Sequence, residues 1–306
     1  MKSAAVSAFV PPSRDGVGAS CIALPAGPWP LLLDFLVERF PAIDRSVWCA
    51  RVVAGEVLNA SGQPLALDAP FITGTKIFYY RSVPSEIVVP FEERIVFQDA
   101  YLVVADKPHF LPVAPVGRYV QQTLLVRLKK RLGIESLAPM HRIDRETAGL
   151  VLFSIQPSTR AAYQAMFRDR AVIKKYEAIA SVRPDLTLPT TVRNRLADAP
   201  SFMQMQVVDG APNAETRIEL FAVRGQLARY GLQPATGQRH QLRVQMNALG
   251  MPILNDQIYP HHLPETPDGA QPDFSQPLQL LAKSLEFIDP VTGKKRLFDS
   301  ERKLLF

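Results

Sequence analysis

HRIDRETAGLVLF, His141 to Phe153, sets Arg142, Asp144, Arg145 and Glu146 directly before an apolar run that opens at Gly149. The run reads as a strand, Gly149 to Ile155, so the charged cluster sits in the turn that feeds it. Upstream, Arg94 to Gln98 and Leu102 to Ala105 flank Asp99, Ala100 and Tyr101 and read as a hairpin. Downstream, Val172 to Val182, Thr216 to Val223 and Leu227 to Leu232 read as further strands. Helices are expected at Val120 to Leu132, at Ser158 to Arg168 with Ser158 as N-cap, and at Gln238 to Leu249 between Thr236 and Gly250. Strands outnumber helices and follow one another directly, which predicts an α+β fold with a mixed, mainly antiparallel sheet. Prolines at 260, 264, 267, 272 and 277 mark residues 260–277 as a long irregular loop.

The first part of the chain is organised differently. Residues 1–27 read as an irregular leader, and Gly16 and Gly18 lack the third glycine of a dinucleotide fingerprint. Leu32, Leu33, Leu36, Val37 and Phe40 fall on one face of a helix over Leu31 to Phe40. A second helix, Ser46 to Val53, stops near Gly55, and Val57 to Asn59 and Thr75 to Tyr80 read as short strands. The expected organisation is a leader (1–27), a two-helix plus hairpin module (28–82), a linker (83–90) and a larger domain (91–306).

The chain has 306 residues, 47% hydrophobic and 21% charged, enough apolar mass for a core and too much for a disordered chain. The net charge is +6, unevenly spread: residues 1–90 hold seven basic and seven acidic side chains, residues 117–195 hold 15 and 6, and residues 196–306 hold 11 and 12. A cationic segment attracts polyanions, nucleic acid foremost. Cys21 and Cys49 have neither C-x-x-C spacing nor a nearby His, so buried thiols are expected and a zinc site is not. No apolar stretch approaches the roughly 18 residues of a membrane span, and the expected setting is cytoplasmic.

The cluster around Asp144 admits two chemistries. Flanking guanidinium groups would keep the carboxylate ionised, as a nucleophile or an electrostatic stabiliser, whereas an isolated Asp-Arg pair more often just fixes a loop. PATGQRHQLRVQMNALGMPIL, Pro234 to Leu254, gathers Arg239, His240 and Arg243 in the first two turns of a helix, with Arg239 and Arg243 on one face. They form either a phosphate clamp, a partner for a carboxylate such as Asp144, or a solvated face. In VIKKYEAIASV, Val172 to Val182, alternation puts Lys174, Tyr176 and Ala178 on one side of a strand. Tyr176 either stacks on a base, moves a proton or belongs to the core. Lys107, Pro108 and His109 follow the strand in LVVADKPHFLPVAP and by themselves specify little.

Together these segments resemble the RluA-type RNA pseudouridine synthases. HRIDRETAG is similar to that family's H-R-L-D-R-x-T-S-G signature; Asp106 to Pro108 to its D-K-P segment; Lys174 to Ala178 to its K-x-Y-x-A strand; and T-G-x-x-H-Q-L-R precedes G-x-P-I-L in the same order. The resemblance covers residues 91 to about 290. More weakly, residues 28–82 resemble the αL-type RNA-binding module, without its basic surface.

The resemblance implies that Asp144 attacks the uridine or its ribose, that Arg142 fills the space of a flipped uridine, that Tyr176 packs on the target base and assists proton removal from C5, and that Arg243 pairs with Asp144. It further implies RNA or uridine contacts for His141, Arg145, Lys107, Lys174, Arg239 and His240. The partner would be ribosomal or transfer RNA, the protein a monomer, with no cofactor, metal or membrane involved. For breaking the N1–C1′ bond, turning the base and rejoining through C5, a carboxylate and base stacking are sufficient, and the base must leave its stack to be reached. Ile143, Ala148, Gln238, Gln245, Asn255 and Pro260 depart from the family pattern. Two other classes remain at this stage: a catalytically silent RNA-binding or ribosome-assembly factor, and a glycoside hydrolase, for which Glu146 or Asp256 would have to supply the second carboxylate.

Overall fold

A computed structural model describes residues 9–81, 86–201, 203–264, 266, 267, 270 and 272–306. Residues 1–8 of the expected leader, residues 82–85 at the expected module–linker boundary, and residues 265, 268, 269 and 271 of the expected loop lie outside the described residues. The chain divides into two compact units, Met1–Pro84 and Ser85–Phe306.

The first unit contains β1 (Ser20–Ala23), α1 (Leu32–Arg39), α2 (Arg45–Val53), β2 (Val57–Leu58) and β3 (Lys76–Tyr79). Both helices stand where their apolar spacing predicts. Leu33 and Leu36 of α1 meet Trp48 and Val52 of α2, with Val57, Ile77 and Tyr79 beneath them. Gly55, at φ 65°, follows the end of α2 in the left-handed conformation that suits glycine. The sheet order is β1-β3-β2, antiparallel throughout. The expectation of an irregular leader fails for Ser20–Ala23, which pairs with β3 from Ser20↔Tyr79 to Ala23↔Lys76. With one half-buried aliphatic side chain, Ile22, this edge strand owes its form to its partner rather than to a pattern of its own. The same edge leaves Cys21 exposed, against the expected burial, while Cys49 is half-buried.

The second unit continues with β4 (Arg94–Gln98), β5 (Leu102–Lys107), α3 (Leu124–Leu132), β6 (Ala138–Pro139), β7 (Ala148–Ser154), α4 (Arg160–Arg168), β8 (Ile173–Ser181), β9 (Thr190–Asp198), β10 (Met205–Val208), β11 (Ala214–Arg224), β12 (Leu227–Pro234), α5 (Gln241–Ala248), β13 (Leu280–Ile288) and β14 (Lys295–Asp299). Its main sheet runs β10-β9-β11-β12-β8-β13-β7-β5-β4, with β14 on β13 and β6 on β7. The class is α+β, as expected. The sequence pattern did not reveal β6, β9, β10, β13 or β14. β9 carries polar residues on both faces, β10 is only four residues long at the end of the sheet, and β13, LLAKSLEFI, lacks a clean period of two. No helix among the described residues is long and apolar enough to cross a membrane.

Three helix starts move inward. α3 begins at Leu124, where the Thr123 hydroxyl accepts from the amide of Val126, and ends at Gly133 in the left-handed region. α4 has Thr159, not Ser158, at its N-cap. α5 begins at Gln241 behind His240, whose φ of 51° breaks the helical path. Arg239 therefore precedes the helix, and the face it was expected to share with Arg243 does not exist.

Strands β5 and β7 are buried along their whole length. Val103, Ala105, Val151 and Phe153 face Leu124 and Leu128 of α3, while Leu102, Val104, Leu150 and Leu152 face Tyr163 and Met166 of α4. Each such aliphatic side chain contributes about 1.5–3 kcal/mol on burial. A separate core joins Ala178 and Ala180 of β8, Tyr230 and Leu232 of β12, and Leu242 and Met246 of α5. Between the two cores β13 meets β7 in a short parallel contact, Leu281↔Ala148 and Ala282↔Gly149, and on its other side Ala282 pairs with Tyr176. Gly149 makes this seam possible: at φ 113°, a Cβ there would stand 2.2 Å from the carbonyl oxygen of Ala282. The row Gly149, Ala282, Tyr176 fixes the end of the Asp144 loop two strands from the β8 tyrosine.

Candidate active site

The loop between β6 and β7 carries Asp144 and is pinned from several directions. The His141 Nε2 accepts the amide of Leu152 at 3.1 Å, and its ring stacks on Phe167 with centroids 4.5 Å apart. The amide of Thr147 donates to the Asp144 carbonyl oxygen at 3.2 Å. Beneath the loop, the Lys107 ammonium donates to the carbonyl oxygens of Pro108, Leu111 and Arg145 at 3.0, 2.7 and 3.0 Å. Lys107 is wholly buried. This corrects the expectation that it contacts RNA: it braces the backbone next to Asp144 and cannot reach a ligand. Burial pushes its ammonium down to about 7, against the attraction of the Glu146 and Asp144 carboxylates.

Asp144 remains 27% exposed at the floor of a cleft of about 880 Å³, within the range of ligand sites. Its Oδ2 receives Nη1 of Arg243 at 3.1 Å, and its Oδ1 lies 3.9 Å from Nε2 of His240. Asp144 was expected to be flanked by Arg142 and Arg145. Instead, Arg145 turns to Glu146, donating from Nε at 2.6 Å, and lies over the Tyr119 ring. Arg142 is exposed on the cleft wall. The cation that holds Asp144 comes from α5, as the resemblance implied.

Arg243 is itself buried and held by further carboxylates. Its Nε and Nη2 donate to Oδ2 and Oδ1 of Asp256 at 2.8 and 2.7 Å, and its Nη1 lies 4.0 Å from Glu146 Oε2. Burial works against the guanidinium, but Asp256, Asp144 and Glu146 outweigh it and raise its pKa further. Burial also pushes the Glu146 carboxyl up, yet Arg145 and Arg243 hold it below the usual range. An ionised Glu146 and an Asp256 committed to Arg243 leave no general acid for glycoside hydrolysis.

Tyr176 lines the cleft from β8, and burial beside Asp144 raises its phenol well above the ordinary value. The hydroxyl thus keeps its proton at neutral pH, where it can donate a hydrogen bond but is not present as a phenolate base. Lys174, one step along the same face, donates to the Thr236 carbonyl at 2.8 Å and ties β8 to the 236–239 loop on the cleft wall. Arg239 stands at the rim, paired with Asp198 at 3.2 Å. Burial depresses His141 to about 3 and also lowers His240, so both imidazoles are neutral near pH 7.

Sequence reasoning treated Glu146 and Asp256 only as possible second carboxylates and overlooked Tyr259. A signal existed in the N-D-Q-I-Y-P stretch, Asn255 to Pro260, which follows the family's G-D-x-x-Y-G block with its glycines replaced. Asn255 keeps the backbone that a glycine would serve, at φ 62°. Asp256 Oδ1 accepts the amides of Ile258 and Tyr259 at 2.8 and 3.0 Å and so shapes the turn.

Residues 101–248, which span β5 to the end of α5, match the family model described as RNA pseudouridylate synthase. Residues 101–248 form a domain of this family. Among similar proteins, an uncharacterised RNA pseudouridine synthase of Synechocystis is 28% identical over 74% of this chain and 79% of its own length. The dual-specificity RNA pseudouridine synthase RluA of Haemophilus influenzae is 29% identical over 68% of this chain and 92% of its own. In structure, a human RNA pseudouridylate synthase domain-containing protein superposes with a TM-score of 0.53 at 26% identity, covering 69% of this chain and 88% of that one. The RluA-type resemblance is thereby upheld, and the second unit is an RNA pseudouridine synthase domain, an isomerase.

Proposed function

We propose that this pseudouridine synthase isomerises a uridine in structured ribosomal or transfer RNA, with Asp144 as the nucleophile. One observation carries the reading: the Asp144 carboxylate lies on the floor of an open cleft, with one oxygen held by a buried guanidinium and the Tyr176 ring lining the same cleft. Arg243 restrains Asp144 Oδ2 and leaves Oδ1 the freer oxygen for attack at the ribose or the base. Tyr176 packs on the target base. The exposed Arg142 takes the place of the extruded nucleotide, because a base must leave its stack to reach a carboxylate at this depth.

Around the cleft, Lys174, Arg145 and Arg239 supply positive potential for the flanking phosphates, and His141 and His240 supply neutral walls. The two unpaired cysteines suit a reducing, cytoplasmic setting. The first unit, with seven basic against six acidic side chains, orients the RNA rather than gripping it electrostatically.

Mass spectrometry of RNA from a strain lacking the gene, before and after treatment with the protein, tests the reading. Wild type is expected to convert specific uridines, and Asp144→Ala to lose conversion by at least about 1000-fold while still binding RNA. Undiminished conversion by Asp144→Ala would remove Asp144 as nucleophile. Absence of conversion by the wild type would make the protein a silent RNA-binding factor.

A further inference from the structure

The stretch Asp256 to Tyr259 does more than hold Arg243. The Tyr259 hydroxyl is buried between two nitrogens: it accepts the amide of Met205 at 2.8 Å, and it lies 3.1 Å from His240 Nδ1. The arrangement that gives every hydrogen a partner has the hydroxyl accepting from the Met205 N–H and donating its own hydrogen to Nδ1. The opposite arrangement, with Nδ1 donating, would leave the hydroxyl proton of a buried tyrosine without one of these two partners. Burial raises the Tyr259 phenol, so the proton stays available.

With Nδ1 acting as acceptor, a neutral His240 carries its proton on Nε2, the nitrogen that faces Asp144 Oδ1 at 3.9 Å. His240 has no freedom to turn away. It occupies the left-handed N-cap of α5, its ring stands at 90° to that of Tyr259, and its side chain is 11% exposed. Arg243 restrains the other oxygen of the same carboxylate.

We propose that His240 is a positioning residue for the reaction, an Nε2–H donor aimed at Asp144 Oδ1 whose tautomer is set by the Tyr259 hydroxyl. The inference rests on Asp144 being the reactive carboxylate. In the free protein the donor stands beyond hydrogen-bonding distance, and a small movement of the Asp144 side chain on RNA binding closes the gap, as catalytic contacts commonly tighten only in the complex. The carboxylate would then be gripped at both oxygens, by a full charge on one and a neutral donor on the other. This orients it while leaving Oδ1 the more reactive oxygen.

The test uses the full chain and two independent readouts. Nitrogen-15 NMR of the histidine rings, with His240→Gln to assign the signal, is expected to give the Nε2–H tautomer in the wild type and a mixture in Tyr259→Phe. Single-turnover tritium release from total RNA labelled at uridine C5, prepared from cells lacking the gene, gives the kinetic arm. There His240→Ala is expected to lower the rate by about 100-fold without changing the RNA concentration at half-saturation. His240→Gln, which keeps an N–H donor, is expected to recover part of that loss, and Tyr259→Phe to add nothing to His240→Ala. An Nδ1–H tautomer in the wild type, or a His240→Ala defect confined to half-saturation, overturns the proposal. If wild type releases no tritium, the reading of Asp144 fails on its own, and the NMR still decides the tautomer.

Discussion

Replacing Asp256 by Asn probes the support of the site without touching the cleft. The Asp256 carboxylate is fully buried, and the Arg243 guanidinium is 1% exposed, so the pair is sealed from solvent. Removing one partner of a buried, hydrogen-bonded ion pair costs about 3–5 kcal/mol, mostly because the surviving charge is stranded. Asn retains an oxygen for the amides of Ile258 and Tyr259 and for Nη2 of Arg243, but it presents an N–H₂ group to Nε. Arg243 also keeps Asp144 at 3.1 Å and Glu146 at 4.0 Å. The loss should therefore fall at the low end, about 3 kcal/mol, which for a unit of this length lowers Tm by about 6–12 °C. Activity should fall as well, because a guanidinium released from Asp256 draws Asp144 toward itself and away from the cleft. Thermal unfolding followed by circular dichroism, alongside pseudouridine formation below the lowered Tm, measures both effects. A variant with wild-type Tm and wild-type turnover would refute the view that Asp256 anchors Arg243.

Other consequences follow from packing and protonation. Gly149→Ala places a Cβ against the Ala282 carbonyl at an unfavourable φ, and should destabilise the second unit by about 3 kcal/mol or prevent its folding; urea denaturation reads the outcome. The pH dependence of stability should reflect His141 and His109, which burial depresses to about 3 and about 4. Above their unfolded value of about 6.5 both are neutral in either state. As the pH falls through 6.5 the unfolded chain binds protons that the folded chain refuses, so stability drops by about 1.4 kcal/mol per pH unit per histidine until the folded values are reached. Urea titrations at pH 6 and 5 should show this slope, and His141→Asn should reduce it by about 1.4 kcal/mol per pH unit.

The strand runs and their breaks make the fold class legible, because alternation, glycine position and helical spacing act within a few residues of themselves. β4, β7, β8 and α1 stand where those local signals put them. β1, β9 and β10 do not announce themselves, since a short or half-exposed strand takes its conformation from the neighbour that pairs with it. The same distinction divides the site. Asp144, Tyr176 and Arg243 stand in ordered motifs that a reader of the sequence can single out. Lys107 looks like an RNA contact there because a cation in a charged motif suggests solvent. In the folded chain Lys107 closes on three carbonyl oxygens.

The charge surplus divides in the same way. Within residues 117–195, Arg183 and Arg193 pair with Asp185 and Glu215 on the surface away from the cleft lining, so the cations that face the cleft are fewer than the count suggests.

By itself the sequence determined the α+β class and the motif order, because each depends on residue type and short spacing. The tertiary structure alone decided which cation holds which anion. Arg243 and Asp144 lie 99 residues apart, Arg243 and Asp256 lie 13 apart across a helix end and a turn, and His240 meets Tyr259 only when that turn closes. Such pairings depend on where strands cross and where a helix begins, and at Gly149 on the missing side chain that lets two strands touch.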